Sequence, residues 1–181
     1  MKRTVIPEMA LWVALITMGA YIRVPIPVVP FTMQVFFTQM AGAVGGPFKG
    51  AGSVLVYVLL GLIGVPVFVN GGGLGYVFQP TFGYLLGFIV AAFVTGIIVK
   101  RSQLTYLQCL VAHLIGLAIV YLSGVLWLWG HGAVLTGVIP ALRPILMYGF
   151  VLCAPGDIVL SFLAAELTRR ILKLRSHYGT H

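Results

Sequence analysis

Six apolar runs divide this 181-residue chain, at about residues 6–22, 31–46, 50–66, 82–99, 105–129 and 143–168. A helix needs roughly 17–25 apolar residues to cross the hydrocarbon core of a bilayer, and the runs have about this length. The second run is the shortest and is interrupted by glycines. The pattern predicts an all-α integral membrane protein with six transmembrane helices, built as a single membrane-embedded domain over residues 1–181.

Composition favours the same environment. Charged residues make up 8% of the chain, and its mean hydropathy is +1.08. A soluble domain carries about 25% charged residues, so this chain has too few polar side chains to cover a water-exposed globule. The apolar run after Lys2 and Arg3 continues to Arg23 without a small-x-small cleavage site. We therefore interpret it as the first membrane helix rather than as a signal peptide.

The distribution of Lys and Arg predicts how the helices are oriented. If successive loops alternate between the two sides of the membrane, only Arg23 and Arg143 lie on one side. The other side receives Lys2, Arg3, Lys49, Lys100, Arg101, Arg169, Arg170, Lys173 and Arg175. Cytoplasmic loops of membrane proteins carry the excess of basic residues. Both termini are therefore predicted to lie in the cytoplasm, with the chain in the plasma membrane.

The net charge of +8 does not indicate a nucleic-acid partner. The basic residues flank apolar runs, without interleaved aromatic residues and without a groove-reading motif. The basic segment RRILKLR, residues 169–175, is predicted instead to meet anionic headgroups of the lipid bilayer.

Two loops on the predicted outer side combine constrained backbone with neutral polar side chains. The first, RVPIPVVPFTMQ, is kept extended by its prolines and ends in Thr32 and Gln34. The second, VPVFVNGGGLGYVFQPTFGY, places Asn70, Gln79 and Tyr84 among glycines and aromatic residues. Small-molecule pockets are mostly apolar with a few placed polar groups, so we predict that these five residues bind a ligand. Simple tight turns are the structural alternative.

Asp157 lies deep in the sixth run, after a Pro-Gly pair that lets a helix open. Ionisable side chains inside membrane spans normally face the bundle interior or a cavity and mark a substrate or ion path. Asp157 is therefore predicted to contact a ligand. Glu166 has Arg169 and Arg170 at the spacing of helix-surface ion pairs, so it requires no functional role.

No arrangement of residues in the sequence indicates catalysis, a metal site or a cofactor. There is no plausible Ser-His-Asp set, no His/Cys/carboxylate cluster, and no Lys-Ser/Thr after the GGGLG stretch. Cys109 and Cys153 fall in apolar runs and are typical of free core cysteines. His113 stands alone in the fifth run, where we expect it to be a hydrogen-bonded packing residue.

Ala10 and Ala14 form a small-xxx-small pair in the first run. Small residues four positions apart allow another helix to approach closely. The spacing alone fits internal packing and a partner-docking face equally well.

Several segments together resemble the BioY-type, biotin-specific substrate-binding subunit (S component) of energy-coupling-factor (ECF) vitamin transporters. They are PVVPFTMQ, GPFKGAGSVLVYVLLGLIGVPVF, GGG, QPTFGYLLGF and PGDIVL, in this order over nearly the whole chain. The resemblance implies a six-helix protein that captures biotin from outside and docks on a membrane coupling subunit with two ATPases. It also implies that Ala10 and Ala14 form the docking face and that Asp157 is a polar contact to the ligand, with no catalysis.

The chain departs from the family pattern at one position. Three residues after the aspartate, where the family carries a lysine, this sequence has Leu160. Arg143 or Arg23 is the predicted substitute for holding the carboxylate of the ligand at the pocket mouth. The departure leaves dethiobiotin and lipoate as alternative ligands. An ion-coupled secondary transporter and a membrane-embedded enzyme are the competing function classes.

Overall fold

The computed structural model describes residues 5–26, 28–101, 105–137 and 141–178, which are mostly helical. The helices are α1 Val5–Tyr21, α2 Gln34–Gly45, α3 Pro47–Leu62, α4 Phe82–Arg101, α5 Tyr106–Thr136, α6 Leu142–Leu146 and α7 Ala154–Tyr178. A short 3-10 helix, Leu74–Phe78, precedes α4, and a π-helical turn, Met147–Val151, separates α6 from α7. Strands β1 (Arg23–Val24) and β2 (Phe31–Thr32) form an antiparallel hairpin, with Arg23 opposite Thr32 and Val24 opposite Phe31.

Helices follow the predicted apolar runs, but several of their limits differ. Helix α3 ends at Leu62 rather than near residue 66, α5 at Thr136 rather than near 129, and α7 at Tyr178 rather than near 168. Helix α2 begins at Gln34 rather than near residue 31, because the first residues of that run pair with β1. Helix α3 begins at Pro47, three residues before the predicted start, since proline suits the first turn of a helix. The sixth run is not one continuous helix: the π-helical turn divides it into α6 and α7.

Three stretches within the described ranges are long and apolar enough to cross a membrane: Phe82–Lys100, Tyr106–Val134 and Leu142–His177. Helices α1 and α3 are apolar but shorter, with 17 and 16 residues. Helix α2 has 12 residues, which correspond to about 18 Å of helix, less than the roughly 30 Å of a hydrocarbon core. Six crossings and the orientation of the termini therefore stay predictions.

Glycines bring α2, α3 and α4 into backbone contact. A Cβ added to Gly42 would lie 2.0 Å from the carbonyl oxygen of Ala92, and one added to Gly50 would lie 2.4 Å from the Gly42 Cα. Small residues permit this close approach between membrane helices, where packing rather than water expulsion drives association. Gly42, one of the glycines that interrupt the second apolar run, is thus a helix contact point.

At one end of the bundle, called the basic end below, ion pairs join three helices. The Glu8 carboxylate of α1 lies 2.8 Å from Lys49 Nζ of α3 and 3.4 Å from Arg175 Nη2 of α7. Arg175 also donates to the Val44 carbonyl oxygen of α2 at 2.9 Å. Glu8 is therefore the residue that ties the start of α1 to the rest of the bundle.

Glu166 pairs with both neighbouring arginines on α7, as its spacing predicts. Its carboxylate lies 2.9 Å from Arg169 Nη2 and 2.6 Å from Arg170 Nε. These contacts lie within one helix surface and give Glu166 a local structural role.

His113 is fully buried and is hydrogen-bonded at both ring nitrogens. Nδ1 lies 2.9 Å from the Gln39 side-chain amide of α2, and Nε2 lies 3.0 Å from Thr168 Oγ1 of α7. Because both nitrogens have protein partners, His113 connects α2, α5 and α7 as a packing residue.

Replacing Gly42 by valine should lower the melting temperature of the detergent-solubilised protein. The added side chain has to displace the α4 backbone at Ala92, and overpacking of this kind costs about 1–3 kcal/mol. A thermal unfolding curve followed by intrinsic fluorescence measures the effect.

Gly130→Ala on α5 is the matched control, because a Cβ there meets nothing within 4 Å. Its melting temperature should stay unchanged or rise slightly, since alanine favours helix over glycine. Equal melting temperatures for Gly42→Val and the unmodified protein would show that the α2–α4 contact is not tight.

Candidate ligand-binding site

A cavity lies where the hairpin and residues 63–81 cover the helix bundle, at the end called the loop end below. The wall is mostly apolar and includes Phe31, Val35, Leu85, Phe88 and Val120. The composition of the wall therefore suits a small, largely apolar molecule.

The hairpin forms one wall because several contacts hold it against the second loop and α7. Arg23 Nη1 donates to the Val69 carbonyl oxygen at 2.7 Å and to Asn70 Oδ1 at 3.2 Å. Phe31 packs so closely on Gly156 that a Cβ there would lie 2.6 Å from its ring. Proline-stiffened backbone and these contacts place residues 29–32 over the cavity.

Asp157 lies in the first turn of α7 and is 4% exposed. Its Oδ2 accepts a hydrogen bond from the Tyr121 hydroxyl of α5. Its Oδ1 has no hydrogen-bond partner, although the side chain lines the cavity. An unpaired buried polar group costs about 1–3 kcal/mol, so a ligand N–H group at Oδ1 would remove a real penalty.

Thr32, Gln34 and Tyr84 also line the cavity, as the sequence analysis predicts, but each already has a protein partner. Gln34 Nε2 donates to the Tyr57 hydroxyl at 2.7 Å, and Thr32 Oγ1 donates to Gln34 Oε1 at 3.3 Å. The Tyr84 hydroxyl donates to the Gly149 carbonyl oxygen at 2.6 Å. These side chains therefore shape the cavity wall, and their polar atoms are already engaged within the protein.

The other predicted ligand residues lie outside the cavity lining. Asn70 is exposed, and its side-chain oxygen accepts from Arg23. Gln79 is exposed, and its backbone carbonyl accepts from Trp127 Nε1 at 3.2 Å. Arg143 is exposed on α6. Asn70 thus connects the second loop to the hairpin, and the Gln79 backbone connects that loop to α5.

Tyr121 and Thr81 line the cavity but are absent from the predicted ligand residues. Tyr121 is 36 positions away from its partner Asp157 in sequence, so no local pattern reveals the pair. Thr81 belongs to the second loop, and its Oγ1 is buried without a partner. In the described part of the chain, Thr81 Oγ1 and Asp157 Oδ1 are the two buried side-chain polar atoms that lack a hydrogen bond.

Ala10 and Ala14 are both exposed on α1. They lie on the part of α1 that follows Glu8, away from the cavity lining. Their small side chains are therefore available to a partner helix instead of being buried inside the bundle.

Comparisons with known proteins agree on one family. The family model described as "BioY family" matches residues 2–177. A "Probable biotin transporter BioY" of Lysinibacillus sphaericus is 40% identical over 166 residues, covering 91% of this chain and 85% of that protein. The "Biotin transporter BioY" of Thermotoga maritima is 38% identical over 165 residues, with 91% and 93% covered.

A solved structure agrees with these sequence relatives. The crystal structure of the S-component for biotin from an ECF-type ABC transporter superposes with a TM-score of 0.81 at 28% identity. The match covers 95% of this chain and 92% of that one. By family model, relatives and fold, this chain belongs to the BioY family.

Proposed function

We propose that this chain is the substrate-binding component of an ECF-type transporter and that it captures biotin for uptake across the plasma membrane. The observation that carries the proposal is the unpaired Oδ1 of Asp157 in a mostly apolar cavity. The family membership and the printed names of the relatives support biotin as the transported ligand.

The chemistry of biotin suits this cavity. Its ureido ring supplies N–H groups for the Asp157 carboxylate, and its thioether ring and hydrocarbon chain suit the apolar wall. Dethiobiotin keeps the ureido ring and should also bind. Lipoate has no N–H group, so it would leave Asp157 unpaired and should bind less tightly.

The proposed orientation places the basic end in the cytoplasm and the loop end outside. Lys49 and Arg175 lie at the basic end, and cytoplasmic loops carry the excess of basic residues. If six segments cross the membrane, the short α2 and the hairpin that covers the cavity must together account for one of the crossings. With this orientation the cavity meets ligand on the outer side.

Uptake also requires partners, because the sequence contains no ATP-binding motif. We propose docking on a membrane coupling subunit that is joined to two ATPase subunits. Ala10 and Ala14, exposed on α1, are the proposed contact. Small residues there would let a helix of the coupling subunit approach the α1 backbone closely.

Asp157→Ala should weaken biotin binding about ten- to a hundredfold, because hydrogen bonds to charged groups contribute about 1.5–3 kcal/mol. The measurement is isothermal titration of the full chain in detergent, without ATP and without partners. The unmodified protein should bind biotin under these conditions, since the cavity is built from this chain alone.

Melting temperatures of the ligand-free proteins serve as the control for this experiment. A purely structural aspartate would lower the melting temperature and leave the affinity of the folded fraction unchanged. No heat with biotin, dethiobiotin or lipoate in the unmodified protein would refute the proposed function.

Tyr121→Phe should weaken biotin binding by a smaller factor, about two- to tenfold. The variant keeps the ring contacts and loses the hydroxyl that fixes Oδ2, a hydrogen bond contributing about 0.5–1.5 kcal/mol. In a double-mutant cycle, Tyr121→Phe should cause little further loss of biotin affinity in the Asp157→Ala background, because the hydroxyl acts through the carboxylate.

Tyr148→Phe, at an exposed position of the π-helical turn, is the matched control and should bind as the unmodified protein does. Strictly additive losses for Tyr121→Phe and Asp157→Ala would contradict a shared role.

Ala10→Trp or Ala14→Trp should abolish biotin uptake in cells while affinity in detergent stays near normal. A bulky indole blocks close helix approach on a face that is separate from the cavity. Leu122→Trp, at an exposed position on α5, is the control and should preserve both uptake and binding. Loss of binding in the alanine variants would show that these positions support the fold.

A further inference from the structure

The Thr81 hydroxyl lacks the hydrogen bond that its position would normally provide. Thr81 directly precedes α4, where a threonine side chain usually accepts from a backbone N–H of the first helical turn. Thr105 does this before α5, accepting from Gln108 N at 3.4 Å. Thr81 Oγ1 is buried, makes no such bond and lines the cavity. Its hydroxyl is therefore available to a ligand.

The backbone around Thr81 is fixed against α5. The Gln79 carbonyl oxygen accepts from Trp127 Nε1 at 3.2 Å and from Phe82 N at 3.1 Å. The Phe78 carbonyl oxygen contacts the His131 ring nitrogen. These bonds hold the segment before α4 in place, so the hydroxyl occupies a defined position on the cavity wall.

The two unpaired atoms lie at different depths of the same cavity. Gly83 meets α5 at Trp127, where an added Cβ would be 2.1 Å from the Trp127 Cβ. Tyr121, which holds Asp157, precedes Trp127 by six positions, so it lies about 9 Å deeper along α5. Thr81 precedes Gly83 and lies nearer still to the loop end. An extended ligand with a polar group at each end can reach both atoms.

The chemistry of the two atoms differs. An ionised Asp157 can only accept hydrogen bonds, so Oδ1 selects an N–H group, whereas the Thr81 hydroxyl can donate to a carboxylate. Among the described residues that line the cavity, none is Lys or Arg. A ligand carboxylate would therefore meet a neutral donor, and a hydrogen bond to an ionised acceptor is about twice as strong as a neutral one.

We infer that Thr81 is a second ligand contact, and that its hydroxyl binds the carboxylate end of the ligand while Asp157 binds the ureido end. The inference rests on the proposed function, because it takes biotin as the ligand. It assigns the carboxylate to a neutral hydroxyl near the loop end, where the sequence analysis expects an arginine. Arg143 and Arg23 are exposed and do not line the cavity.

The test compares biotin with biotin amide in titrations of the full chain in detergent. Thr81→Val, which keeps the shape and removes the hydroxyl, should weaken biotin about tenfold and biotin amide at most about threefold. Thr81→Ser, which keeps the hydroxyl, should bind both within about threefold of the unmodified protein. Asp157→Ala should weaken both ligands equally.

Thr38→Val is the matched control, because Thr38 is buried on α2 outside the cavity lining and donates to the Val35 carbonyl oxygen at 3.0 Å. It should not distinguish the two ligands. The Tyr76 side chain interacts with Thr81 on the cavity wall, so the melting temperature of ligand-free Thr81→Val is measured to check that the loop keeps its fold. If valine crowds the loop, Thr81→Ala should give the same selective loss.

Two outcomes would overturn the inference. Equal losses for biotin and its amide in Thr81→Val would place the hydroxyl at the other end of the ligand. Unchanged affinities in Thr81→Val and Thr81→Ala would show that the hydroxyl does not touch the ligand. Failure of the unmodified chain to bind biotin is a different result, which would refute the proposed function itself.

Discussion

The site depends on one hydrogen bond, from the Tyr121 hydroxyl to Asp157 Oδ2. A carboxylate in an apolar cavity is costly unless it is hydrogen-bonded, and this contact satisfies one of its two oxygens. The tyrosine is itself supported by edge-on rings, Phe150 at 4.9 Å and Tyr84 at 6.4 Å between centroids. Tyr84 in turn donates to Gly149 in the π-helical turn. Helices α4 and α5 and the break before α7 thus jointly determine which carboxylate oxygen stays unpaired in the cavity.

The break between α6 and α7 also changes the electrostatic surroundings of Asp157. In the sequence the residue appears deep inside a continuous span, whereas in the structure it belongs to the first turn of α7. A helix N-terminus carries a partial positive charge that favours an acidic side chain nearby. The π-helical turn, a feature often found at functional sites, therefore creates an environment that a straight transmembrane helix would not provide.

Helix positions were predictable because they depend on local properties, namely run length and hydropathy. The pairing of Phe31 with β1 was missed because it depends on a contact between separate segments, and the division of the sixth run and the ends of α5 and α7 were missed as well. Several residues of the cavity wall were predictable from the sequence, but their hydrogen-bond partners were not. Thr32 and Gln34 line the cavity, yet their hydrogen-bonding capacity is engaged through Tyr57, 23 residues from Gln34. Which polar atom remains unpaired depends on partners that no local pattern specifies.

The magnitude of charge repulsion favours one orientation of the ligand. Two ionised carboxylates about 4 Å apart repel by about 4 kcal/mol at an effective dielectric constant of 20, whereas at about 9 Å the repulsion falls to about 2 kcal/mol. A ligand that entered with its carboxylate toward Asp157 would meet the larger repulsion and would also leave Oδ1 without a donor. The reverse orientation would place the ligand carboxylate near the loop end, farther from Asp157, and would pair Oδ1 with an N–H group. In the proposed binding mode an ionised Asp157 would therefore order the ligand by repelling one of its ends as well as by binding the other, and this orientation requires no cation in the cavity.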